Sequence, residues 1–206
     1  MDDGGDAGRL AFAVGAVAAG SAVCLAIYFA VRGPFGTIND LGNATTGVLS
    51  GWLAWRLRHR VAGRARVVVG VALAGAAITV VGSALVVSGK TGFLFAGLVS
   101  SLGLAGIGAW LITLNRAAGE SAAWSPRLRS LGLAAGWLMA TGIVLAPGIV
   151  LGLDDATTAP TWVWVGFVSW LGTYVASPAW ALWLGTIESR VRHGLRNAQP
   201  GAMVAD

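Results

Sequence analysis

Six stretches of the chain are apolar over about 20 residues or more, with polar and charged positions gathered between them: Leu10 to Val31, Gly36 to Trp55, Val67 to Ser88, Gly92 to Leu114, Leu131 to Leu153 and Thr161 to Ile187. A run of that length lets an α-helix cross a hydrocarbon core of ~30 Å. The pattern predicts an all-α, polytopic membrane protein, a bundle of six transmembrane helices over 10–31, 36–55, 67–88, 92–114, 131–153 and 161–187, forming one domain across residues 1–190. Residues 191–206, ending in Gly, Gln, Pro and Ala, read as a disordered cytoplasmic tail. The first run is too long for the apolar region of a signal peptide and follows an acidic start, so it is expected to be retained as a span.

The breaks carry recognisable punctuation. Arg32, Gly33 and Pro34 end the first run, Ser88, Gly89 and Lys90 make a turn after the third, and Asp154, Asp155 and Pro160 separate the last two. Gly119 to Ser130, with Trp124 and Pro126, reads as a short interfacial stretch whose indole lies at headgroup level. Trp52, Trp55, Trp110 and Trp183 are expected to mark one interface, and Trp162 and Trp164 the other.

Charge then sets an orientation. Arg9, Arg56, Arg58, Arg60, Arg64, Arg66, Arg116, Arg127, Arg129, Arg190, Arg192 and Arg196 fall on one side of the alternating spans, whereas only Arg32 and Lys90 fall on the other. Excess Lys and Arg mark the cytoplasmic side, so both termini are expected inside the cell membrane, with the Asp154 loop outside. The same asymmetry accounts for the net charge of +5, and no nucleic-acid partner is expected. The expected partner is the lipid bilayer. Composition agrees: of 206 residues 56% are hydrophobic and 11% charged, with a mean hydropathy of +0.73, which excludes an ordinary soluble domain and a disordered chain. Cys24, the single cysteine, lies in an apolar run and reads as a packed thiol; a disulfide or Cys-based zinc site within one chain is excluded.

Small residues recur four apart at Gly47 and Gly51, Gly70 and Ala74, Gly132 and Gly136, and Gly172 and Ala176. Such pairs let helices approach closely within a bundle, and the same faces could join copies in a homo-oligomer.

The second run is the exception to the apolar rule. Asn39, Asn43, Thr46 and Ser50 share one helix face, and Asp40 stands at its edge. With a rise of 1.5 Å per residue, Asp40 would lie about 6 Å and Asn43 about 10 Å inward from a start near Gly36. An ionisable group inside a span usually faces a bundle interior or a wet cavity. An acid in the first turn also meets a helix dipole, and Arg32 or Lys90 could neutralise it. Asp40 therefore admits a functional and a helix-end reading. In the sixth run Ser169, Thr173 and Ser177 recur four apart, with Tyr174 beside them and Pro178 following. These hydroxyls fit backbone groups freed by the proline, or the opposite wall of a polar path. Pro147 reads as a second kink.

No catalytic or cofactor motif emerges: there is no HExxH, GxSxG or Walker A sequence. His59 and His193 sit among arginines, which disfavours a metal, so no cofactor or metal is expected. Glu188 and Arg192 have the spacing of a helical ion pair. The sequence thus points to a small transporter or channel handling a small cation, proton or polar solute, with Asn39, Asp40, Asn43 and Thr46 as binding candidates and Ser169, Thr173, Tyr174 and Ser177 as secondary ones. The alternative is a non-transporting scaffold or regulatory subunit binding lipid or another membrane protein. An intramembrane enzyme is a third reading, for which no second catalytic group accompanies Asp40.

Overall fold

The structure is a computed structural model that describes residues 3–61, 63, 65–120 and 124–197. Among them no strand occurs. The helices are α1 (Asp3–Val31), α2 (Phe35–Arg56), α3 (Ala65–Val87), α4 (Phe93–Glu120), α5 (Pro126–Val150) and a segmented α6 over 161–197. Four stretches, Asp6–Val31, Arg66–Val87, Phe93–Gly119 and Pro126–Val150, are long and apolar enough to cross a membrane. α2 falls short because of its polar first half, and α6 because it is broken into pieces.

The breaks in α5 and α6 follow their prolines. In α5 a 3-10 stretch, Thr141–Leu145, precedes Pro147, and the Thr141 hydroxyl donates to the Leu138 carbonyl at 2.6 Å. The expected single span 161–187 instead comprises Thr161–Gly166, Ser169–Leu171, a π-helical turn Gly172–Ala176, and a final helix from Ser177. Pro178 has no N–H to return to the carbonyl one turn back, and the wider π turn absorbs that mismatch. The final helix runs to Asn197, so 191–197 is helical rather than a disordered tail; its Val, Arg and Leu residues sustain a helix and no proline intervenes before Pro200. Residues 198–206 lie outside the described residues.

Each helix packs on its chain neighbour, and α6 returns to α1, closing a ring in which α4 is the most enclosed member. Glycines make the close approaches. Gly75 of α3 meets the backbone of Gly103 and Gly106 on α4, Gly136 meets Gly108, Gly172 meets Met139, and Gly15 and Gly185 form the α1–α6 seam against Leu182 and Phe12. Where lipid provides no hydrophobic drive, such backbone-close packing supplies the association energy. Gly47 and Gly51 face Thr79 and Ala76 as small-residue pairing requires. Gly70 instead meets nothing within 4 Å and Ala74 is exposed, so that pair joins no helices within the bundle: Gly75, one position on, faces α4.

The interior is layered. A large apolar cluster includes Leu53, Leu104, Leu111, Leu128, Trp110, Trp124 and Trp180, and a smaller one contains Leu94, Leu98, Leu145 and Val163. Along α4 and α6, Ser100, Ser101, Ser169 and Thr173 fall between the two clusters and are buried. Trp110 and Trp124 are 1% and 5% exposed and so are core residues, not interface anchors; their rings pack edge-on against Trp180 at 6.2 and 6.0 Å. Trp52, Trp55, Trp164 and Trp183 do face outward.

Candidate functional site

α2 begins after Arg32 and Gly33, both in the left-handed region at φ 61° and 72°. They stop α1 and turn the chain back within a few residues. The reversal places the first turns of α2 beside α1, where Gly36 faces the Tyr28 ring and Gly42 faces the Ser21 hydroxyl. Because Ile38, Leu41, Val48 and Trp52 occupy the outward face, the opposite face must turn inward. It carries Asn39, Asn43, Thr46 and Ser50, all buried, and Asp40 is half-buried at its edge.

Across the interior stands the π turn of α6. The Asn43 side-chain amide donates to the Tyr174 hydroxyl at 2.8 Å, a direct link between the two sets of candidate residues. Asn39 interacts with both the Asp40 carboxylate and Tyr174. Its backbone carbonyl accepts from Ser21 at 3.3 Å. Asn39 Oδ1, Thr46 Oγ1 and Ser169 Oγ are buried without a hydrogen-bond partner, as are Ser83 Oγ, Thr91 Oγ1 and Trp110 Nε1 elsewhere among the described residues. Thr173 is committed to its own helix, donating to the Ser169 carbonyl at 3.2 Å, and Ser177 is buried one turn further on. The structure thus joins Asn39, Asp40, Asn43 and Tyr174, while Thr173 serves the backbone of α6.

Among the described residues no cation pairs with Asp40. The Arg32 guanidinium lies over the Tyr28 ring, 5.4 Å from its centre, and Lys90 is exposed. Helix-end neutralisation by either residue is therefore not how this carboxylate is accommodated. No group of three or more metal-ligating side chains occurs among the described residues.

Sequence reasoning missed several neighbours. Trp170 packs edge-on against Tyr174 at 6.0 Å and Phe93 at 6.2 Å, and its indole N–H donates to Ser101 Oγ at 3.3 Å. Its adjacency to Ser169 is the one sequence sign of this role. A second polar cluster lies at the other end of the ring. There Glu188 pairs with Arg60 at 2.9 Å and accepts from the Trp124 indole at 3.3 Å. Buried Asn115 accepts from Trp180 at 3.1 Å and donates to the Leu111 carbonyl at 2.9 Å. The side chain of Arg192, expected beside Glu188, lies outside the described residues.

No protein-family model, curated protein or solved structure matches the chain.

Proposed function

We propose that all six helices cross the membrane with both chain ends cytoplasmic, and that the protein is a small transporter or channel carrying a small cation, proton or polar solute past the inward face of α2. The supporting observation is the direction of that face. Asn39, Asn43 and Thr46 turn into the ring, and Asn39 Oδ1, Thr46 Oγ1 and Ser169 Oγ are left without partners. An unsatisfied buried oxygen costs about 1–3 kcal/mol, so this oxygen-rich lining favours an occupant that offers protons or positive charge. Oxygen ligands suit hard cations and water. The 22 residues of α2 span about 33 Å as helix, and its buried polar face would be shielded from lipid by the ring.

Flux into vesicles reconstituted with the purified chain tests this reading, with a proton-sensitive dye and separate sodium and potassium gradients. Wild type should pass at least one of these, and Asp40→Asn should abolish that flux while circular dichroism and thermal unfolding stay unchanged. Absence of flux for all three, or flux indifferent to Asp40→Asn, would remove the site from transport. Under the second reading, a non-transporting scaffold or regulatory subunit, α2 and α6 are held together by the direct Asn43–Tyr174 bond, which needs no bound solute.

A further inference from the structure

Outside the ring, α3, α4 and α5 enclose an open groove of about 620 Å³. Its floor is the close approach of Gly75 to Gly106, and its walls include Val71, Ala105, Ala109 and Trp137. The Thr141 hydroxyl on its edge already donates its proton to the Leu138 carbonyl, so that residue offers the groove no free hydrogen-bond donor. Residues 71 to 78 of α3 and 102 to 109 of α4 border it, a length of about 10 Å.

One end of this groove is cationic. Arg116, two turns beyond Ala109 on α4, is exposed and holds its guanidinium over the Trp137 ring, 5.6 Å from the ring centre. Among the described residues no carboxylate pairs with it. Arg66 precedes the groove on α3 and Arg127 precedes it on α5, both exposed at the same end. An apolar trough ending at a planar, multi-donor cation matches a molecule with a hydrocarbon chain and an anionic head.

We propose that this groove binds one anionic glycerophospholipid, with an acyl chain along Gly75, Gly106 and Ala109 and the phosphate on Arg116. The proposal rests on α3, α4 and α5 lying in a bilayer and is independent of whether the polar face of α2 conducts a solute. A second copy of the chain fits less well. Two copies sharing one membrane orientation and meeting symmetrically through this face would place their Arg116 side chains at the same depth, like charge facing like charge.

Native mass spectrometry of the purified full chain in neutral detergent tests the site, with phosphatidylglycerol and phosphatidylcholine of identical acyl chains and inorganic phosphate as a headgroup control. Phosphatidylglycerol should be retained about tenfold better than phosphatidylcholine, whose choline ammonium offsets the charge of its phosphate and is repelled by Arg116. Arg116→Gln should erase that preference and Arg116→Lys should retain part of it. Ala109→Leu, at an exposed position that fills the trough, should weaken both lipids without altering the melting temperature in lipid-free detergent. Equal retention of the two lipids, or a preference that survives Arg116→Gln, would refute the headgroup assignment. Undiminished lipid retention in Ala109→Leu would refute the acyl-chain assignment, as would inorganic phosphate displacing phosphatidylglycerol completely. A dimer dispersed by Ala109→Leu would assign the groove to a second copy instead.

Discussion

Asp154 stands in the loop before α6 and caps a helix to which it does not belong. Its carboxylate accepts from the backbone N–H groups of Gly92 at 2.6 Å and Phe95 at 3.1 Å, satisfying donors that the first turn of α4 leaves open. Asp154→Ala should therefore lower stability by about 1 kcal/mol, read from thermal unfolding in detergent. Its neighbour Asp155 works locally: the Thr157 amide and hydroxyl both donate to Asp155 Oδ1 at 2.8 Å, holding its carboxyl below the usual carboxylate range. A depressed folded value means that this turn contributes fully above the unfolded pKa and loses its contribution as pH falls through the folded one. An NMR titration of the Thr157 amide should show that loss at acid pH, and an amide shift centred at or above the ordinary aspartate pKa would contradict the assignment. In the interior, the Asn43–Tyr174 bond can be isolated by a double-mutant cycle of Asn43→Leu and Tyr174→Phe. The coupling should be about 1 kcal/mol, and a value indistinguishable from zero would remove that bond as a link between α2 and α6.

The helices divide their glycines between contact and open surface. An added Cβ at Gly103 would come within 2.5 Å of the Gly75 carbonyl oxygen and 2.6 Å of the Thr79 backbone nitrogen. Backbone cannot rotate aside, so Gly103→Ala should destabilise the bundle by about 1–3 kcal/mol. Gly70→Ala meets open space and should be neutral or stabilising by up to about 1 kcal/mol through helix propensity. Comparing the two melting temperatures checks the assignment. Much of this architecture was legible in the order of residues. That Asn39, Asn43, Thr46 and Ser50 share one face of α2 followed from their spacing, whereas the turning of that face into the ring came from the fold. Pro147 and Pro178 announced the irregular turns beside them. The turn at 167–168 within α6 was hidden because Val165, Gly166, Phe167 and Val168 look as apolar as an unbroken span. The destinations of aromatic side chains were hidden too: an indole suits either an interface or a core with a hydrogen-bond acceptor, and only the fold supplies Glu188 to Trp124 and Asn115 to Trp180. Gly70 and Ala74 have the right spacing for packing, but spacing does not reveal which face of α3 meets α4.

Among the described residues the arginines other than Arg32 gather at one end of the molecule. Arg56 bonds to Asp6 near the start of α1 at 2.7 Å, Arg60 bonds to Glu188 near the end of α6 at 2.9 Å, and Gly8 lies against Glu188. At the opposite end Gly92 meets Asp154. If the basic end is cytoplasmic, single cysteines at His59 and Asp155, introduced into a Cys24→Ser background, should label from the inside and the outside respectively with an impermeant maleimide. The reverse pattern would overturn the orientation, and same-side labelling would overturn the six-span reading. The seam between α1 and α6 also has a bearing on biogenesis. Synthesis runs from one end, so α1 reaches the bilayer while its partner is still untranslated, and the flank containing Gly8 and Gly15 stays bare until the chain beyond residue 177 has been made. Distant contacts of this kind form late. A polypeptide halted before that point carries an uncovered glycine edge that the finished protein lacks, because the residues that cover Gly8 and Gly15 are Glu188, Leu182 and Pro178.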